Sequence, residues 1–205
     1  MLQALMSEEA RLRRYVEKGD VEKVKECIAN GARVDHKDSH GNPLIITAIQ
    51  HKQIQVVETL LDASLCVEER GEWSTTPLIM AAKVGCKEVC ALLLKRGADI
   101  DSVDVSGQCA LTHAILNHNN EVMRFLLESG ALMDLKDSRF KDPIHYASSS
   151  DTVEAADIML DYCVKNNGWD RYIVRLEFAS CRYNIEIAYT VNTNFSLNKT
   201  KSVTA

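Results

Sequence analysis

No two cysteines in this chain are spaced as CxxC. The seven present, at 27, 66, 86, 90, 109, 163 and 181, are an odd number. That pattern fits neither a disulfide framework nor a zinc ribbon, and it points to reduced thiols in the cytosol or nucleus. No apolar run approaches the ~20 residues that a membrane-spanning helix needs. The first residues, Met1-Leu2-Gln3-Ala4-Leu5-Met6 and then Ser7-Glu8-Glu9, lack a basic segment leading into an apolar stretch, so no signal peptide is expected. No glycine-rich phosphate loop follows a strand pattern. Base is also in short supply: 24 Lys and Arg against 29 Asp and Glu give a net charge of −5. The deficit is concentrated in residues 36–167, where twelve bases meet nineteen acids. A body of that sign repels phosphate backbones, so nucleic acid is excluded as an expected partner.

What the chain does have is enough apolar material for a core, 46% of its residues, and an internal period. The tripeptides Asn30-Gly31-Ala32, Ala63-Ser64-Leu65, Arg96-Gly97-Ala98 and Ser129-Gly130-Ala131 are centred on 31, 64, 97 and 130, a constant step of 33. A second set, Asn42-Pro43-Leu44, Thr76-Pro77-Leu78, Cys109-Ala110-Leu111 and Asp142-Pro143-Ile144, steps by 34, 33 and 33. Both landmarks have physical causes. Proline at the first helical position costs no hydrogen bond, and a preceding Asn, Thr or Asp caps exposed N–H groups. Glycine after a helix adopts the left-handed conformation that ends it. Asn42-Pro43, Thr76-Pro77 and Asp142-Pro143 are therefore read as capped helix starts, and Cys109-Ala110 as an uncapped one. Small residues recur in the first helix of each unit (Ala48, Ala81, Ala114, Ala147), which allows close approach of neighbours.

The run from Thr76 to Gly85, continuing through Leu92-Leu-Leu-Lys-Arg-Gly-Ala-Asp99, resembles the ankyrin repeat nearly residue for residue. Asp142-Pro-Ile-His-Tyr-Ala147 is similar to the family's T-P-L-H-x-A pattern. The resemblance implies an all-α solenoid of stacked helix-turn-helix units with β-hairpin fingers. About five units are expected at 7–36, 37–69, 70–103, 104–136 and 137–168, within an array spanning 1–168. Several departures affect the fingers. The stretch from Asp38 to Pro43 is one residue short, Glu69 to Ser74 is irregular, and Phe140 stands at the turn glycine. His118 stands at the counterpart of Gly85, and Cys163 replaces the last terminal glycine.

The resemblance also implies function: such arrays bind proteins through finger tips and first-helix ends, as kinase inhibitors, retention factors and ubiquitin-ligase adaptors do. The candidate partner-binding residues here are Arg70, Glu72, Trp73, Lys83, Val103, Val105, Asn117, Arg139, Phe140 and Lys141. Trp73 beside Arg70, and Phe140 between Arg139 and Lys141, are the expected anchors, because interface energy concentrates in aromatic and Arg side chains. The competing reading folds Trp73 onto a neighbouring finger and lets Phe140 cover a turn. The acidic body favours an unidentified protein partner with a basic patch, and a monomer is expected. The alternative function is a structural spacer or a fragment of a larger scaffold or channel.

No enzyme, metal or cofactor is expected. Cys86 and Cys90 are one helical turn apart, but Cys90 sits where the family buries a small aliphatic residue and Cys86 lies at a helix start; Cys27, late in a second helix, likewise reads as a small buried residue. The implied role of His145 is a hydrogen bond between neighbouring units, and His113 reads as a packed residue with one nitrogen satisfied. From Trp169 the period stops, and residues 169–205 form a non-repeat tail. Residues 172–191 alternate like a strand, which would serve as a cover over the last repeat, as a junction to further repeats, or as an irregular terminus. The polar end from Asn192 is expected to be disordered.

Overall fold

The computed structural model describes residues 7–63, 65–149 and 154–166. They form α1 (Glu8–Lys18), α2 (Val21–Ala29), α3 (Leu44–Gln50), α4 (Ile54–Asp62), α5 (Pro77–Val84), α6 (Lys87–Lys95), α7 (Ala110–Leu116), α8 (Asn120–Glu128), α9 (Pro143–Ser149) and α10 (Glu154–Lys165). Odd-numbered helices contact odd, even contact even, and each odd helix packs on the even helix that follows it. That is the stacked all-α solenoid the repeat pattern predicts, with an inner row of odd helices and an outer row of even ones. Fingers project between successive units. Among the described residues they pair only through single bridges, Lys37 with Pro43 and Val103 with Cys109. The expectations for residues 169–205 lie outside the described residues, as does Ser64.

The core is one continuous cluster running from Leu12 to Cys163. Inner-row alanines Ala48, Ala81, Ala114 and Ala147 are all buried, so backbones approach closely there. Around them Leu44, Ile45, Ile49, Leu78, Ile79, Leu111 and Ile115 are fully enclosed, each burial contributing about 1.5–3 kcal/mol.

Helix starts behave as capping chemistry requires, with one correction. Thr76 Oγ1 accepts the Ile79 N–H at 3.2 Å and Asp142 Oδ1 accepts that of His145 at 2.9 Å. Cys109 caps nothing, as expected. Asn42, however, is not the cap of α3 and Pro43 is not its first residue: Pro43 is itself the N-cap, with no side-chain bond. The one-residue shortening of this finger removes the first helical position and draws proline into the capping place. Asn42 Oδ1 is thereby freed to accept the Glu72 N–H of the next finger, at 2.9 Å. At the far end, Cys163 sits inside α10 where the other units break. With no glycine there, α10 runs 12 residues against 9 for α8.

A second column ties units together where each outer helix begins. Gln53 Nε2 donates to the Glu17 carbonyl at 3.1 Å, and Asn119 Nδ2 to those of Ala82 and Lys83 at 2.7 and 3.0 Å. The residues facing these amides are Gly19 and Gly85, and a Cβ on Gly85 would collide with the Asn119 carboxamide. Between them the pair is different. Lys52, left-handed at φ 54°, faces the small Cys86, whose thiol makes no such bond to the preceding unit. Glycine with an amide, or a side chain with cysteine, are thus two solutions to one contact. Cys86→Asn alone is expected to cost about 1–3 kcal/mol through overpacking against Lys52. In a Lys52→Gly background the same change should be neutral or stabilising, a coupling of at least about 1 kcal/mol in a urea-denaturation double-mutant cycle.

Candidate interaction surface

The finger tips repeat at the same step of 33. Their first positions are Ser39, Glu72, Val105 and Ser138; the second are His40, Trp73, Ser106 and Arg139; the third are Gly41, Ser74, Gly107 and Phe140. In three of these four fingers, numbered second to fifth after the units they open, an aspartate builds the tip. Asp38 Oδ1 accepts the N–H groups of His40 and Asn42, Asp104 Oδ1 those of Ser106 and Gln108, and Asp137 Oδ1 those of Arg139 and Lys141, all at 2.8–3.0 Å. The second oxygen turns to the inner-row side chains. Asp38 Oδ2 lies 3.6 Å from Arg13, Asp104 Oδ2 lies 2.9 Å from His113 Nε2, and Asp137 Oδ2 accepts the Tyr146 hydroxyl at 2.5 Å. One carboxylate therefore shapes each turn and fastens it to the helix floor.

The last of these networks is the most enclosed. Gln108 Nε2 donates to the Tyr146 hydroxyl at 2.9 Å and to Asp137 at 3.4 Å, joining the fourth finger to the fifth. Burial opposes ionisation of Asp137, but the Tyr146 hydroxyl, the Lys141 and Arg139 N–H groups and the Gln108 amide outweigh it and hold the carboxyl down at about 2. Burial pushes the Tyr146 hydroxyl up, and the neighbouring Asp137 adds to that.

The third finger has Gly71 where the others have aspartate, and neighbours substitute for the missing carboxylate. Asn42 supplies the acceptor described above, and Arg70 Nη1 donates to the carbonyls of Ser74 at 3.1 Å and Val103 at 2.6 Å. Trp73 and Ser74 both take left-handed backbone, φ 58° and 57°, which accounts for the irregular sequence there.

Of the candidate residues, the structure brings Glu72, Trp73, Val105, Arg139 and Phe140 to the tips of three consecutive fingers. The Val105 N–H donates to the Trp73 carbonyl at 3.0 Å and the Ser138 N–H to that of Ser106 at 2.9 Å, so the tips form one linked edge. Trp73 is 69% exposed, Val105 60% and Phe140 84%. Neither aromatic folds onto the protein. Arg70 and Val103 lie deeper: Arg70 is occupied as the brace just described, and Val103 packs on the core at a finger base. Lys141 is half-buried with its ammonium 5.8 Å from the Tyr146 ring centre. Lys83 and Asn117 are exposed at the ends of α5 and α7, where Asn117 Nδ2 donates to the His113 carbonyl at 2.8 Å. Among the described residues the inter-unit bond expected of His145 is not formed. Its ring is exposed and lies edge-on to Tyr146, because no described unit stacks beyond α9. The Asp–inner-helix column went unread in the sequence, although aspartates at 38, 104 and 137 share the repeat step.

A family description, Ankyrin repeats (3 copies), matches residues 12–104 and 65–137. The chain belongs to the ankyrin-repeat family. Repeats of this family are protein-interaction modules. Among curated relatives, the B-cell lymphoma 3 protein homolog of Mus musculus is 35% identical over 130 residues, covering 61% of this chain and 29% of that protein. A putative ankyrin repeat protein of fowlpox virus is 23% identical over 141 residues, 68% of this chain and 19% of its own. A glycerophosphocholine phosphodiesterase of Schizosaccharomyces pombe is 30% identical over 96 residues, 45% of this chain and 8% of the enzyme. The chain thus spans less than a third of each of these relatives. Among the described residues no helix is long and apolar enough to cross a membrane, and no group of three His, Cys, Asp or Glu is placed to hold a metal ion.

Asp137→Asn is expected to cost about 2 kcal/mol, since it leaves buried donors without their acceptor. Because its folded pKa lies below the ordinary 3.8, Asp137 stabilises the array at neutral pH, and that contribution fades as pH falls from about 4 to about 2. Thermal melts of the wild-type protein and Asp137→Asn across this window should converge at its acid end.

Proposed function

We propose that this ankyrin array is a non-catalytic protein-binding module whose contact surface is the edge formed by the third, fourth and fifth finger tips. The observation that carries this reading is Phe140. It occupies the third tip position, where Gly41 and Gly107 stand in other fingers, at φ 60°. Left-handed backbone costs a residue with a side chain about 1–2 kcal/mol relative to glycine. The ring is also the most exposed large apolar side chain among the described residues. Folding gains nothing from Phe140 on either count, so a role outside folding is the economical explanation. Trp73, left-handed and exposed on the third finger, repeats the pattern, and strained backbone of this kind concentrates at functional sites.

Catalysis finds no support in the thiols. Burial pushes Cys90 up to about 12 and raises Cys86 as well, so neither supplies a nucleophile near neutral pH. The activity named for the phosphodiesterase belongs to a protein of which this array matches 8%. The acidic body favours a partner with a basic patch, which speeds encounter. Six described cysteines are free, in keeping with work in the cytosol or nucleus. Arg139 and Glu72 are the charged candidates at the edge itself, and Lys83 stands at the end of α5.

Phe140→Gly should raise the melting temperature or leave it unchanged while removing the dominant partner in proximity labelling of cells. Trp73→Ala should remove the same partner. An unchanged set of labelled proteins with both variants would mean that the array serves as a spacer.

A further inference from the structure

Charge is not shared evenly along the edge of tips. The third finger ends in Glu72, exposed and, among the described residues, within ion-pair distance of no base. Behind it Arg70 is turned to two backbone carbonyls. Lys37, which donates to the Arg70 carbonyl at 2.7 Å, offsets Glu69 at the base of this finger. The fourth tip shows the uncharged Val105 and Ser106, while Asp104 is held by His113 at 2.9 Å. The fifth finger is basic. Lys136 and Arg139 are exposed there and Lys141 is half-buried, whereas Asp137 and Asp142 are buried. Arg139 Nε lies 3.9 Å from Asp137, yet the Arg139 side chain remains 67% exposed. Acid, neutral and base thus follow one another across three tips, with an exposed aromatic at each end.

Turned end for end, this edge is its own complement. A two-fold axis through the fourth tip sets the third finger of each copy against the fifth of the other, because an isologous contact pairs every residue reciprocally. The tips on either side of that axis are joined to it in the same register. The Val105 N–H, at the first tip position, donates to the second-position carbonyl of Trp73 at 3.0 Å, and Ser138 repeats the bond onto Ser106 at 2.9 Å. Resting on the finger-tip reading given under Proposed function, we propose that a second copy of this chain is a partner of the edge, in an antiparallel dimer. Glu72 and Trp73 of one copy meet Arg139 and Phe140 of the other twice over, with the guanidinium on the indole face, and the uncharged fourth tips meet at the axis. Trp73 and Phe140 together expose on the order of 300 Å² of aromatic surface, less than half of the ~800 Å² per partner in a standard interface. Each copy is also acidic overall, at −5, which opposes association. The dimer is therefore weak, with Kd above about 1 µM. Dilute protein is monomeric, and a tighter partner displaces the second copy by taking the same tips.

Sedimentation velocity of the full chain, from about 1 µM to about 1 mM, should show a monomer–dimer equilibrium. Glu72→Arg reverses two exposed ion pairs and should weaken the dimer about tenfold, as should Arg139→Glu. Each variant alone sets like charges together. Mixed in equal amounts they should associate at wild-type strength, since the mixed pair has opposite charges at both ends. Phe140→Gly should weaken the dimer at least about tenfold. A monomer at every concentration, a dimer indifferent to all three variants, or a mixture no stronger than its components overturns the proposal. Species beyond the dimer mean head-to-tail contact and overturn it too. Should Arg139→Glu unfold beside Asp137, the other two variants decide: loss in both supports the dimer, and an unchanged dimer in either overturns it. The finger-tip reading stands or falls separately. If Phe140→Gly and Trp73→Ala still remove the dominant labelled partner in cells, that reading survives a failed dimer. If they leave the labelled set unchanged and no dimer forms, both fall.

Discussion

A pair of helices seven to twelve residues long cannot hide its own apolar face, and everything in this molecule follows from the need to borrow a neighbour's. Short helices are marginal in isolation, so α3 or α7 persists because Ile45, Ile49, Leu111 and Ile115 are enclosed on both sides by adjacent units. The requirement falls most heavily on the inner row. There a column of alanines brings backbones close, and the polar positions beside it face the fingers. That is why His113 and Tyr146 can take both helix packing and finger carboxylates, while Thr47 in the same column meets Arg13, the residue that faces Asp38.

The fingers show how a repeat tolerates variation where its core does not. Aspartate at the head of the turn is one way to hold a tip, and it does three tasks with two oxygens. Where Gly71 takes its place, the turn survives because Asn42 and Arg70 reach in from either side along the row. Asn42 is available only because the preceding finger is one residue short. Two irregularities that look like independent lapses in the pattern are thus one compensated arrangement, and its outcome is to hold an exposed tryptophan at a fixed place on the edge.

The architecture was legible because stacking imposes the same step on every landmark: glycines at 31, 97 and 130 and the Thr-Pro-like starts follow from one period. The exposure of Trp73, Val105 and Phe140 was legible for the complementary reason. They occupy positions the packing leaves free, so their apolar character needed another cause. Side-chain reach was not legible. Nothing in the order of residues reveals that Arg70 bends back to a carbonyl 33 positions on, or that Asn42 abandons its own helix. The bond read for His145 comes from the pattern of interior repeats and needs a following unit, and none lies among the described residues.

The contacts at 19–53, 52–86 and 85–119 limit how interchangeable these modules are. Excising the third unit cleanly, residue 70 to residue 103, would bring Lys52 to face Asn119, a pairing that neither of the two workable combinations allows. Recombination that shuffles whole repeats would meet the same obstacle at that junction, whereas a duplication that keeps each bulky residue beside its cysteine would not. The unit that can be exchanged intact is therefore the seam between two repeats as much as the repeat itself.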